Sequence, residues 1–264
     1  MNKALKRGIH RGFYRNGPSH RDGADVTFGD IVKIFGFKSA TVGNWVTHEE
    51  QQLAANLFFD ALCDLMMILE VDEQVISLKG SLSIAFGSGG NKYSSAHYSL
   101  TTRTLALAKN AGAGSLAHEY FHAFDHFIAS RLFENTKRND FASSLWLEKN
   151  NPIDHPINYL LSDCFQSIFL TPNGEDPSKF FKDSLKADKA YKQMYYALPE
   201  EMAARAFEAY IQDHPYKNSF LAKGTKQSEE AKMGIYPSSV ERQNIGKCFS
   251  KYFRTLGLAL EQQA

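Results

Sequence analysis

The pentapeptide His118-Glu-Tyr-Phe-His122 places two histidines four positions apart, with a glutamate directly after the first. On an α-helix, side chains four positions apart lie on the same face, so both imidazoles can reach one ion. Glu119 lies one step round the helix, where its carboxylate can accept a proton from a metal-bound water instead of binding the metal. The spacing therefore predicts a helix that carries two metal ligands and a general base.

The residues around this pentapeptide favour a buried helix. Leu116–Phe124 is apolar between its polar positions, Gly112 and Gly114 precede it, and Ser115 is a suitable N-cap. The alternative is a core helix whose histidines bind backbone groups. We interpret the segment as one half of a metal site.

A catalytic zinc ion takes three protein ligands and leaves a fourth position for water, so the chain must supply one more ligand. His126 follows His122 by four residues but lies about 80° round the helix from His118, and we interpret it as a partly exposed histidine. Glu201, in the first turn of a predicted alanine-rich helix, is the better candidate because that helix can pack closely.

Two further carboxylates accompany Glu201. Glu208 lies on the same face but two turns away, too far to share the ion, and Glu200 points to another side of the helix. The alternative is that all three are solvated charges.

Composition indicates an ordinary globular protein of 264 residues, with 43% hydrophobic residues, 22% charged residues and a net charge of +1. The three cysteines are far apart, which favours reduced thiols in a cytoplasmic protein over disulfides or a thiolate zinc site. We expect no membrane partner, since no run of 18 apolar residues occurs, and no secretory signal.

The N-terminal segment is basic and rich in glycine. Residues 1–23 contain six lysines and arginines, and all six precede the first acidic residue, Asp22. We predict an extended arm, mobile or wrapped over the body, and then a short helix within 26–37. A nucleic-acid contact through this arm is a less favoured alternative. The predicted division is therefore an arm and docking segment, 1–43, and a main domain, 44–264.

The remaining pattern predicts an α+β fold that is mostly helical, with a small mixed or antiparallel sheet before the His118 helix. A capping box at residues 47–50 opens a long helix to about Glu70. Residues 82–86, 93–98 and 104–108 predict three strands. After Arg131 the chain is mostly helical: an amphipathic segment at 187–197, a helix that begins at Pro199, a long loop at 214–238, and a last helix at 239–260. That last helix is predicted to bury Val240, Ile245, Phe249, Phe253, Leu256 and Leu260.

Three segments carry a resemblance to a known family: Asn44-Trp-Val-Thr-His-Glu-Glu-Gln-Gln-Leu-Ala-Ala-Asn, Gly112-Ala-Gly-Ser-Leu-Ala-His-Glu, and Glu201-Met-Ala-Ala-Arg-Ala-Phe-Glu-Ala-Tyr. His-Glu-x-x-His followed by a helix with a ligand glutamate resembles the gluzincin branch of the zincin metallopeptidases. More closely, the three segments resemble the zincin-like domain of large polyvalent proteins of phages and conjugative elements, and stand-alone proteins labelled CLCA-X. The similarity covers about residues 44–242.

This resemblance implies a zinc-peptidase-like fold, with an edge strand that can pair with an extended substrate, and mobile-element biology. Thermolysin-like relatives place an aspartate four residues after the ligand glutamate, where it supports a zinc-bound histidine. Arg205 stands there in this chain, so that support must come from elsewhere, and Asp125 is the candidate.

The sequence thus predicts a zinc-dependent hydrolase of a peptide or isopeptide bond in a protein or peptide substrate. Zn²⁺ is held by His118, His122 and Glu201, and Glu119 is the general base. Donors for the oxyanion are sought among Tyr236, Tyr210, Arg205 and His214, and Tyr236 is preferred. The alternatives are a zincin-fold module that binds a partner or nucleic acid without turnover, and a non-hydrolytic metalloprotein with the same three ligands.

Overall fold

The computed structural model describes residues 8–88, 96–108 and 114–262 as an α+β protein with one mixed sheet. Residues 93–95 of the predicted second strand, residues 1–7 of the arm, and Gly112 lie outside the described residues. The elements, in chain order, are α1 (Phe28–Phe35), β1 (Ala40–Val42), α2 (His48–Leu69), α3 (Glu73–Ile76), β2 (Ser83–Phe86), β3 (Ala96–Ser99), β4 (Thr104–Leu107), α4 (Leu116–Leu132), α5 (Ala142–Leu147), α6 (Pro156–Phe169), α7 (Lys179–Tyr191), α8 (Pro199–Asp213), α9 (Glu229–Lys232) and α10 (Ser239–Glu261).

The chain forms two compact units. Unit 1 comprises residues 1–68, 72–120 and 215–223, and unit 2 comprises residues 69–71, 121–214 and 224–264. The predicted division after residue 43 stays a prediction.

The sheet belongs to unit 1 and has the order β1-β2-β4-β3. β1, β2 and β4 run parallel, and β3 pairs antiparallel with β4 at the edge. The sheet is therefore mixed, in agreement with the sequence. The sequence did not predict β1, because a strand of three residues is too short to show an alternating pattern.

Helix α2 begins with the predicted capping box. The backbone N–H of Thr47 donates to Glu50 Oε2 at 3.0 Å, and the backbone N–H of Glu50 donates to Thr47 Oγ1 at 3.3 Å. Among the described helices α2 alone is long and apolar enough to cross a membrane, and 56% of its most apolar stretch is buried inside the protein. Core helices of soluble proteins meet the same criterion, so the expected absence of a membrane partner stays a prediction.

The described part of the basic arm lies against α2. Arg15 donates through Nε and Nη2 to the Asp64 carboxylate at 2.6 Å each. Arg21 donates to Asp60 through the same two atoms at 3.0 Å each. These two arginines are therefore partly neutralised by carboxylates of unit 1.

Unit 2 has an aromatic core between α8 and α10. The Phe207 ring centroid lies 5.6 Å from that of Phe249 and 5.7 Å from that of Phe253, and 4.8 Å from that of Phe121 at the start of the unit. Phe249 and Phe253 are buried as predicted, but Val240, in the first turn of α10, is 67% exposed.

Two helix boundaries differ from the sequence prediction. The amphipathic segment 187–197 is not one helix, since α7 starts at Lys179 and ends at Tyr191. The Asp188 carboxylate then accepts the backbone N–H groups of Tyr195, Tyr196 and Ala197, which stabilises the turn before α8. The predicted long loop 214–238 contains the short helix α9.

Two glycines of α10 provide a matched test of packing in unit 2. A Cβ at Gly257 would lie 2.1 Å from the Glu70 carbonyl oxygen, which is backbone and cannot move away easily. We expect Gly257→Ala to lower the free energy of unfolding by about 1–3 kcal/mol. A Cβ at Gly246 would meet Tyr210 Cδ2 at 3.8 Å, an ordinary contact, so Gly246→Ala should raise it by about 0.5–1 kcal/mol. Urea denaturation of both variants measures the difference, and effects of equal sign would contradict the close approach of α10 to Glu70.

Candidate metal centre

Helix α4 carries the pentapeptide, and backbone contacts within unit 1 place its first turn. The backbone N–H of Ala117 donates to the Leu221 carbonyl at 3.0 Å, and that of Gly114 donates to the Phe220 carbonyl at 3.2 Å. Gly114 has a φ of +96°, and a Cβ there would lie 2.5 Å from the Lys223 backbone nitrogen, so glycine is required. The loop 215–223 thus fixes where α4 begins.

Ser115 does not cap α4 with its side chain as predicted. Its carbonyl accepts the Glu119 backbone N–H at 3.1 Å, as the residue before a helix does. Its hydroxyl oxygen is buried and finds no hydrogen-bond partner among the described residues. The prediction of a side-chain cap was therefore wrong, because the loop carbonyls take over the positioning of this helix end.

The described residues contain a group of three side chains that could hold a metal ion, and it consists of His118, His122 and Glu201. Each offers one ligand atom, and these atoms all lie within 4.8 Å of one another. The two histidines are one turn apart on the continuous helix α4, and Glu201 is in the first turn of α8. These are the three side chains that the sequence proposed as metal ligands.

The two oxygens of Glu201 face different partners within unit 2. Oε1 lies 3.4 Å from His122 Nε2, and Oε2 lies 3.5 Å from Nη1 of Arg205, one turn further along α8. Arg205 is only 3% exposed and also donates to the Tyr196 carbonyl. Arg205 therefore holds one oxygen of the carboxylate and leaves the other directed at the histidine.

Alanine residues follow Glu201 closely along α8. Ala203, Ala204 and Ala206 are fully buried, and such small side chains allow a helix to pack closely. Pro199 occupies the first turn of α8, as predicted, since its ring fixes a helical φ and its missing N–H is not needed there.

Glu119 is held by the backbone of unit 1. The backbone N–H of Tyr98, in edge strand β3, donates to Glu119 Oε2 at 2.7 Å. This bond fixes the carboxylate on the sheet side of α4. The sequence could not predict it, because a backbone donor has no residue-type signal.

Asp125 was predicted to support a ligand histidine, and the structure shows its main contacts. The carboxylate is fully buried and accepts Ser143 N–H at 2.8 Å and Ser143 Oγ–H at 2.5 Å. Burial raises the pKa of Asp125 to about 7. The hydrogen bonds from Ser143 and the charge of His122 lower the pKa, but their effect is smaller than that of burial. Support of His122 by Asp125 through charge stays a prediction.

Glu200 and Glu208, the two carboxylates considered beside Glu201 as metal ligands, have different hydrogen-bond partners. Glu200 Oε2 accepts the Ser144 hydroxyl at 3.0 Å, and Glu200 is not in the three-residue group. Glu208 is only 4% exposed and accepts the Tyr236 hydroxyl at 2.9 Å. The alternative that all these carboxylates are solvated charges is therefore wrong for Glu208.

Two further sequence-based assignments concern Tyr236 and His126. Burial and the neighbouring Glu208 raise the pKa of Tyr236, so its hydroxyl remains protonated and bound to that carboxylate. Its role as an oxyanion donor stays a prediction. His126 is not partly exposed as predicted but buried, with its Nε2 at 2.6 Å from the Arg138 carbonyl.

Comparison with known families finds a match in the C-terminal part of the chain. Residues 187–260 match the model of large polyvalent protein-associated domain 1. No curated protein and no solved structure matches the chain. The matched segment includes α8 with Glu201 and Arg205 but not α4, and it supports the association with large polyvalent proteins of phages or mobile elements that the sequence predicted.

Proposed function

We propose that the protein is a zinc-dependent hydrolase of peptide or isopeptide bonds, acting on a protein or peptide substrate in the cytoplasm. The observation that carries this proposal is the group of His118, His122 and Glu201, whose ligand atoms lie within 4.8 Å of one another. The proposal of a gluzincin-type zincin rests on this group and on the spacing of the pentapeptide.

The chemistry of these donors fits zinc. Two imidazoles and one carboxylate form the ligand set of many hydrolytic zinc sites, whereas calcium and magnesium prefer oxygen ligands alone. His118, His122 and Glu201 would hold the ion. A bound zinc ion supplies Lewis acidity, which activates water near neutral pH.

The proton transfer, the orientation of the carboxylates and the stabilisation of the oxyanion are assigned to residues of the chain. Glu119 accepts the proton of the attacking water and delivers it to the leaving amine. The Tyr98 N–H at 2.7 Å keeps the Glu119 carboxylate oriented. Arg205 at 3.5 Å keeps Glu201 oriented within unit 2. Tyr236 is the proposed donor to the developing oxyanion, which requires that its hydroxyl leave Glu208 during the reaction.

Zinc content tests the site directly. We expect purified protein to hold about one zinc ion per chain after dialysis, as a three-ligand site should. The double variant His118→Ala, His122→Ala should hold none, and Glu201→Ala should bind zinc more than about 100-fold more weakly. Inductively coupled plasma mass spectrometry measures the stoichiometry, and a fluorescent chelator competition measures the affinity.

His126→Gln is the matched control, because His126 lies on the same helix but its Nε2 faces the Arg138 carbonyl. A glutamine amide can replace that hydrogen bond, so this variant should retain zinc. Zinc that survives in the double histidine variant, or that is lost in the control, would refute the assigned ligands.

A further inference from the structure

Unit 2 contains a cleft of about 900 Å³ between the C-terminal end of α8 and the outer face of α10. Tyr210 and His214 line one side, and α10 lines the other from Gln243 to Leu258. This stretch of α10 is about 22 Å long. The cleft lies entirely within residues 187–260, the segment that matches the polyvalent-protein domain. None of the predicted metal ligands contributes to it.

The cleft is strongly cationic. Between residues 242 and 260, α10 carries four lysines and arginines and no acid, and all four side chains line the cleft: Arg242, Lys247, Lys251 and Arg254. One carboxylate, Asp213, is also in the lining, but it already accepts from Arg242 at 2.6 Å and from Lys226 at 2.7 Å. The lining therefore carries an excess of positive charge, with four cations and one carboxylate.

Three of these cations remain available to a ligand. Lys247 and Lys251 are exposed and form no salt bridge with the described residues. The Arg254 side chain is 67% exposed and has a single distant carboxylate partner, Glu70, at 3.6 Å. Arg242, in contrast, is buried and bound to carboxylate and carbonyl oxygens within the protein.

The spacing of the three cations fits an extended polyanion. Lys247, Lys251 and Arg254 stand at i, i+4 and i+7, so they follow one face of α10 over about 10 Å. A single small anion would require donors that converge on one point. Cations placed in a row along a cleft instead follow a backbone of repeated charges.

We propose that this cleft binds single-stranded nucleic acid through its phosphates, without sequence preference. A strand can lie along the row of cations, with bases turned towards the ring of Tyr210, which is partly exposed in the cleft wall. Binding of single strands by a cationic groove with an aromatic platform is a general mode of recognition. Gly246 lies beside this ring, since a Cβ at that position would meet Tyr210 Cδ2 at 3.8 Å.

Binding of a fluorescein-labelled 20-nucleotide oligo(dT), followed by anisotropy between 50 and 200 mM salt, tests this proposal. Three phosphate contacts predict that log K falls with log[salt] with a slope of about −2. The variant Lys247→Gln, Lys251→Gln should weaken binding at least ten-fold at 50 mM salt and reduce the slope to about −0.7. Both lysines are exposed, and circular dichroism verifies that the variant folds.

The matched control is Lys182→Gln, Lys189→Gln, which removes two exposed cations from α7 in the same unit. It should bind the oligonucleotide within two-fold of the unchanged protein. Equal weakening in both double variants would overturn the proposal, since it would show attraction by net charge alone. A 20-residue poly-glutamate, or a duplex of the same length, that binds as tightly as the single strand would also overturn it.

Discussion

Replacement of Glu119 by glutamine is expected to abolish hydrolysis while zinc remains bound. Glutamine has nearly the same shape, and its amide oxygen can still accept the Tyr98 N–H that holds the carboxylate at 2.7 Å. It cannot accept a proton, so the general base is lost. Such a loss lowers the turnover rate by about 10²–10⁴-fold. Digestion of a mixed peptide library, read by mass spectrometry, measures the rate, and plasma mass spectrometry measures zinc in the same sample.

Glu200→Gln is the control for this variant. Glu200 is also a carboxylate near the predicted site, but it accepts the Ser144 hydroxyl at 3.0 Å and lies outside the three-residue group. Its variant should cleave peptides at the rate of the unchanged protein. If Glu119→Gln cleaves at a rate within about ten-fold of the unchanged protein, Glu119 is not the base. If the unchanged protein binds zinc and cleaves nothing, the zincin-fold binding module becomes the better proposal.

Local patterns predicted much of the helical framework. The capping box at Thr47 and Glu50, and the proline that opens α8 at residue 199, each depend on contacts within one turn of the chain. The four-residue spacing of His118 and His122 is equally local, since both belong to one continuous helix. Such features are readable because the residues that make them are close in sequence.

Contacts between residues that are distant in sequence could not be predicted from local patterns. Glu201 could be proposed as a ligand from its residue type, but the burial of Glu208 and its hydrogen bond with Tyr236, 28 residues later, depend on how α8 packs in unit 2. The failed cap at Ser115 has the same origin, since a loop a hundred residues later supplies the carbonyls. The sequence also did not predict that Arg242 would be buried, because a charged residue is expected on the outer face of a helix.

Replacement of Arg242 by leucine is expected to lower the free energy of unfolding of unit 2 by about 2–4 kcal/mol, since two buried carbonyl groups lose their donor. The guanidinium is 8% exposed and donates to Asp213 Oδ2 at 2.6 Å and to the Thr225 and Ala209 carbonyls at 2.9 and 3.1 Å. Leucine fills part of the space but leaves the buried Thr225 and Ala209 carbonyls without this donor, which costs more than the loss of the Coulomb attraction to the exposed Asp213.

Lys226→Met is the matched control, because Lys226 binds the same carboxylate at 2.7 Å from an exposed position. It should cost about 0–1 kcal/mol. The chain has two tryptophans, so a Trp45→Phe background leaves Trp146 as a fluorescent reporter of unit 2 during urea denaturation. Similar losses in both variants would contradict the buried role of Arg242.

Acid dependence separates the two contributions of Arg242. Desolvation raises the pKa of Asp213, but hydrogen bonds from Arg242 and Lys226 outweigh it and hold the pKa below its ordinary value of 3.8. A carboxyl group whose pKa is lower in the folded state stabilises that state fully above its ordinary pKa, and this stabilisation is lost as the pH falls from there through the lowered pKa of the folded state. The difference between the unchanged protein and Arg242→Leu should therefore shrink in acid, measured by urea denaturation at pH 7 and at about pH 3. The difference in the free energy of unfolding that remains in acid measures the contribution of the hydrogen bonds to the carbonyl groups. A difference that becomes larger in acid would contradict the pairing of Arg242 with Asp213.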